Sequence, residues 1–158
     1  MNYGGFYKDF QVGDVFKHWP GKTITESDNN IFCLLTRNDN PLHSDVEYMK
    51  DHTHGKILVN GTLVFSLVVG MSVRDTSGNA IANLDYQKII HHAPVFLGDT
   101  IYAESEIIDK RETSKENRGI VQIESRAFNQ NGHLVMAFQR RFLVPKDGNG
   151  DEIMSAGF

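Results

Sequence analysis

Gly61-Thr62-Leu63-Val64-Phe65-Ser66-Leu67-Val68-Val69-Gly70-Met71-Ser72-Val73 is the stretch that decides the fold. Its apolar side chains stand nearly all round a 3.6-residue period, which marks a helix covered on most sides rather than one lying on a surface. The run is far shorter than a bilayer span, so it predicts a buried helix of a folded domain. Four strand-like runs follow, at 82–91, 99–110, 119–128 and 133–144, separated by Pro94-Val95-Phe96-Leu97-Gly98, a polar loop over 112–118, and Asn129-Gln130-Asn131-Gly132. Asn131-Gly132 suits a hairpin turn with positive φ. Ile101, Ala103, Ser105 and Ile107 alternate with Tyr102, Glu104 and Glu106, the period of a strand with two unlike faces.

The four runs read as an antiparallel meander. A buried helix followed by such a meander predicts an α+β fold, a single hot dog domain in which the antiparallel sheet wraps around the apolar central helix. One small sheet cannot cover that helix on every side, so two copies should pair, with a homodimer as the minimal unit and multiples of it possible. Upstream, Thr25 and Asp28 form a start resembling a capping box, and Ile31, Phe32, Leu34 and Leu35 give an apolar face up to Arg37. Asp45 reads as the N-cap of a short helix through about Met49 to Lys50, before a turn over 52–55.

At 158 residues the chain fits one domain spanning 1–158, with a loose Gly-rich and polar tail over 146–158. Lys and Arg number 16 against 20 Asp and Glu, interspersed, so there is no basic stripe for nucleic acid. The N-terminus lacks the basic and apolar blocks of a signal peptide and no run is long enough to span a membrane, so a cytoplasmic location is expected. Cys33 is the lone cysteine and reads as a small packed side chain. No metal site is expected, because His52 and His54 are two apart beside a Gly, and His91 and His92 are adjacent in a strand whose side chains alternate faces.

The chemistry concentrates in Asn38-Asp39-Asn40-Pro41-Leu42-His43-Ser44-Asp45. Pro41 fixes its own φ and pushes Asn40 out of the α region, so the chain turns between the first helix and His43. His43 can exchange a proton near neutral pH, while Asn38, Asp39 and Asn40 can orient a water or a carbonyl beside it. By composition alone the same loop also reads as an ordinary Asx-rich turn followed by a helix cap.

With Tyr48-Met49, His54-Gly55-Lys56-Ile57-Leu58-Val59, Asn60-Gly61 and Pro94-Val95-Phe96-Leu97-Gly98-Asp99-Thr100-Ile101, this loop resembles the MaoC-like hydratases, which include the R-specific enoyl-CoA hydratases. The likeness covers most of the chain. It departs at one place: the family's catalytic Asp falls on Asn38, and Asp39 occupies a variable position. That substitution is most similar to the branch hydrating branched dicarboxylic acyl-CoA esters, mesaconyl-CoA and itaconyl-CoA.

The resemblance implies hydration of an enoyl-CoA thioester, which needs a proton acceptor for water, a proton donor to Cα and donors for the enolate oxygen. His43 is assigned both proton roles in turn, accepting from water and donating to Cα, since the amide of Asn38 can only orient the water; Asp39 stays open as a second base. Gly61, opening the central helix behind Asn60, is the candidate donor to the thioester oxygen. Ser66 falls where the family places a Ser in the site, and Asn40 and Arg37 are candidate substrate contacts, Arg37 for an acyl carboxylate. Lys88, Arg111, Arg118, Arg140 and Arg141 are candidates for the phosphates, although each also reads as a solvated surface charge. The reaction needs no cofactor, coenzyme A entering as part of the substrate. Two other readings stay open: a hot dog thioesterase, and a non-catalytic subunit that binds acyl-CoA or only dimerises.

Overall fold

In the computed structural model, which describes residues 3–148, the elements run β1 (Val15–Thr23), α1 (Glu26–Thr36), α2 (Val46–Lys50), α3 (Gly61–Ser72), β2 (Ala82–His91), β3 (Thr100–Glu112), β4 (Arg118–Phe128) and β5 (Leu134–Pro145). The capping box forms as read: Thr25 Oγ1 accepts from the Asp28 N–H at 3.2 Å and Asp28 Oδ2 accepts from the Thr25 N–H at 2.8 Å. Arg37 stops α1 by turning into the left-handed region at φ 56°. Asp45 caps α2 by accepting from the Tyr48 N–H at 2.9 Å.

All five strands are antiparallel, in the order β1-β3-β4-β5-β2. The expected meander therefore holds only for β3, β4 and β5. β2 pairs with β5 at the far edge instead of with β3, its successor in sequence, so the link through Pro94 to Gly98 crosses the sheet. β1 has no counterpart in the sequence reading. Pro20 and Gly21 interrupt it where its register against β3 shifts between His18 and Lys22, and that break hides the strand's alternation.

Helix α3 lies across this sheet with Val64 and Val68 buried on one face, against Ile101, Ala103, Ala127, Val135 and Phe138. Leu63, Phe65, Leu67, Val69 and Met71 are only partly buried, because within one chain the sheet covers a single side of the helix. A second apolar cluster gathers Phe10, Ile107, Val121, Ile123, Phe142 and Val144.

Between the two clusters runs a polar belt. His18 Nδ1 meets Asp75 Oδ2 at 2.7 Å and its Nε2 meets Ser105 Oγ at 2.8 Å, which in turn lies 2.7 Å from Ser125 Oγ. Beyond them Arg140, read from the sequence as a surface charge or phosphate contact, is fully buried. Its position between Phe138 and Phe142 on β5 turns it inward by strand alternation. Arg140 Nη2 donates to Ser72, Thr76 and Ser77, the last two in a π-helical turn, Val73–Ser77, that prolongs α3. Its Nε and Nη1 have no hydrogen-bond partner among the described residues, its guanidinium lies over the Phe142 ring at 5.2 Å, and burial pushes its pKa down.

At the C-terminal end the Lys146 N–H donates to the Asn117 carbonyl and Lys8 pairs with Asp147 at 2.6 Å. The rest of the tail expected to be loose, 149–158, lies outside the described residues. Among the described residues no helix is long and apolar enough to cross a membrane.

Candidate active site

The loop after α1 is built from short polar contacts. The Asn38 N–H donates to the Cys33 carbonyl at 3.0 Å, Asn38 Oδ1 accepts from the Asn40 N–H at 3.2 Å, and Asn40 Oδ1 accepts from the Leu42 N–H at 3.1 Å. These turns feed a single 3-10 turn, Pro41–His43, with Pro at its first position where the missing N–H costs nothing. The imidazole is oriented by a second segment. His43 Nδ1 lies 2.9 Å from the Leu58 carbonyl, which can only accept, so Nδ1 carries the hydrogen and Nε2 is left as the basic nitrogen.

A residue absent from the sequence reading ties this loop to the central helix. Asn29, fully buried one turn before Cys33 on the inner face of α1, donates through Nδ2 to the His43 carbonyl at 2.8 Å. Its Oδ1 accepts from the Asn60 N–H at 2.9 Å. The available signal was its spacing of four from Cys33, which puts both on one helix face. Asn60, also buried, caps α3: its Oδ1 accepts from the Thr62 N–H at 3.0 Å and from Thr62 Oγ1 at 2.7 Å. The Leu63 and Val64 N–H groups go to the Asn60 carbonyl, which leaves the Gly61 N–H with no acceptor among the described residues.

His43 and Gly61 line one pocket of about 480 Å³, together with Leu58, Val59, Val64 and Val95. Its remaining polar lining consists of His54, His91 and His92. Alternation would have sent the last two to opposite faces, but β2 ends at His91 and both reach the pocket. A Cβ added to Gly61 would come within 2.4 Å of His91 Cε1, so the imidazole rests against the start of α3 and only glycine fits beneath it. Among the described residues no three His, Cys, Asp or Glu side chains are placed to hold a metal ion.

Of the other residues singled out, none lines the pocket. Arg37 and Asp39 are exposed, Asn38 and Asn40 sit in the turn behind His43, and Ser66 is exposed on α3. Arg141 is held by Asp85, whose carboxylate accepts from Nε at 3.0 and 3.1 Å and from Nη2. That pairing holds the Asp85 carboxyl below its usual range and raises Arg141. Arg118 Nε donates to Asn117 at 3.0 Å.

Residues 9–127 match the MaoC like domain family. The chain is 32% identical over 145 residues to a mesaconyl-CoA hydratase of Cereibacter sphaeroides, which covers 92% of this chain but only 42% of that protein. The chain thus spans less than half the length of that relative. An (R)-specific enoyl-CoA hydratase of Aeromonas caviae is 30% identical over 114 residues, 72% of this chain and 81% of that one. In fold, a conserved hypothetical protein of Mycobacterium tuberculosis described as a double hot dog superposes with a TM-score of 0.86 at 23% identity, over 92% of this chain and 46% of that one. With the family match covering more than half of its length, the chain belongs to the MaoC-like domain family.

Proposed function

We propose that this chain is a hydratase that adds water across the α,β double bond of an enoyl-CoA thioester, the reverse dehydration being the same reaction. The observation that carries the reading is the meeting of His43 and the first residue of α3 in one pocket. His43 Nε2, freed by the bond from Nδ1 to Leu58, takes the proton of water as its oxygen attacks Cβ. The Gly61 N–H at the positive end of the helix receives the thioester oxygen as it becomes an enolate oxygen. Asn38, which sits in the turn behind His43 and outside the pocket lining, is assigned only the orienting of the water and carries no proton.

The preferred acyl group is a branched dicarboxylate, mesaconyl or itaconyl. Support comes from the amide at position 38 and from the relative named a mesaconyl-CoA hydratase. The reaction uses no metal or organic cofactor, and a cytoplasmic location belongs to the same proposal. The working unit is a homodimer. β2 is an open sheet edge carrying exposed Leu84, Tyr86, Ile89 and Ile90, and such edges invite pairing with another strand. Since β2 ends at His91, a partner on this edge stands beside the pocket.

Purified protein supplied with crotonyl-CoA, mesaconyl-CoA and itaconyl-CoA tests the reading. Loss of the enoyl thioester absorbance without release of free thiol is the expected result. Thiol release would make the chain a thioesterase, and tight binding without either signal would make it a non-catalytic subunit.

A further inference from the structure

Hydration takes a proton off water and places one on Cα, and where one imidazole does not reach both atoms a second group divides the work with His43. The pocket narrows the search for the second. Asn38 is an amide, and the Asp39 carboxylate is exposed and outside the pocket lining. No carboxylate, lysine, arginine, tyrosine or cysteine lines the cavity, whose titratable groups are His43, His54, His91 and His92. His54 is engaged elsewhere, its ring 5.4 Å from that of His52 and 5.8 Å from that of Phe96. His92 follows the end of β2, its backbone N–H held by the Val135 carbonyl at 2.9 Å, and the atoms nearest Gly61 belong to His91 and not to it.

His91 stands apart by position. Its ring lies against Gly61, with Cε1 2.4 Å and both nitrogens 3.1 Å from where a Cβ on that residue would be. If the thioester oxygen is received at the Gly61 N–H, then Cα, the atom next to that carbonyl carbon, is the reacting atom closest to the same helix start. His91 is the imidazole in contact with that helix start, and its ring nitrogens have no hydrogen-bond partner among the described residues. Resting on the hydratase reading above, we propose that His91 is a catalytic residue that delivers the proton to Cα.

The step balances with groups already present. The water oxygen forms its bond to Cβ while one O–H breaks and its proton goes to His43 Nε2. The π electrons of the double bond move into the thioester as an enolate. Their return forms the new Cα–H bond as an N–H of the His91 imidazolium breaks. His43 is left protonated and His91 neutral, and exchange with solvent restores both.

The test uses the full chain, with His91→Gln to remove the acid and His91→Phe to keep the volume of the ring against Gly61. For whichever of the three enoyl thioesters the wild type hydrates, kcat should fall about a hundredfold or more in both variants, the scale of losing a general acid. KM should stay within about threefold of wild type, as for an interaction made only in the transition state. In the pH profile of kcat/KM the fall at high pH, where the acid is lost, should disappear, while the fall at low pH owed to His43 remains. Retention of kcat within about threefold and of both limbs by either folded variant would overturn the assignment while leaving the hydratase reading standing. A wild type that hydrates none of the three would overturn that reading and this inference with it.

Discussion

Asn29 and His43 are joined by one hydrogen bond, from the buried amide Nδ2 to the His43 carbonyl at 2.8 Å, and the other end of the same amide holds the backbone of Asn60. A single side chain thus sets the distance between the proposed base and the helix start proposed to receive the substrate oxygen. Asn29→Ala leaves both of those backbone groups without their partner in a buried place. The expected loss of stability is about 2 kcal/mol or more, read from the urea midpoint, since an unsatisfied buried polar group costs roughly 1–3 kcal/mol. Turnover should fall more than the folded fraction does, because the pocket loosens as well.

Removing the base itself is the sharper test of the chemistry. His43→Ala should lower kcat by about a hundredfold or more while circular dichroism and oligomeric state stay as in the wild type. The imidazole is only partly buried, so its removal leaves no large cavity behind.

The two loop residues at 38 and 39 should separate cleanly. Asn38→Ala cuts turnover strongly, whereas the exposed Asp39 tolerates Asn with little effect, measured as kcat/KM on the preferred thioester. The opposite ranking would move the proton chemistry to Asp39. Asn38→Asp retains an oxygen for the Asn40 N–H and adds a charge. It should raise the rate on crotonyl-CoA relative to mesaconyl-CoA or itaconyl-CoA, whose own carboxylate would then face a like charge.

Stability should depend on acid pH through the α1 cap. The hydrogen bond from Lys22, with those from the Thr25 backbone and side chain, lowers the Asp28 carboxyl from 3.8 to about 2. A depressed carboxylate contributes stability that is complete above the unfolded value and is lost as pH falls through the folded one. The urea midpoints of wild type and Asp28→Asn should therefore differ at neutral pH and converge between about pH 4 and pH 2.

The elements were legible wherever the signal is local. Thr25 with Asp28, Asp45 before Tyr48, and the alternation from Ile101 to Ile107 each depend on neighbours along the chain, and each appears in the structure as read. Pairing of β2 with β5 leaves no such trace, because edge position is decided by how the link through Pro94 crosses the sheet. The same holds in the site. His43 and Gly61 could be read from motif and helix start, but the gathering of His54, His91 and His92 around them depends on three separate segments meeting. Arg140 misled for a related reason: charge predicts exposure, whereas its place on β5 between two inward phenylalanines turns it into the core.

On the proposed dimer, pairing through the open edge at β2 makes activity a matter of concentration. Two copies that meet through free diffusion separate on dilution, and specific activity falls with them. A polypeptide carrying two such units in tandem would hold the second edge near the first at roughly millimolar effective concentration. Its specific activity would then no longer fall on dilution.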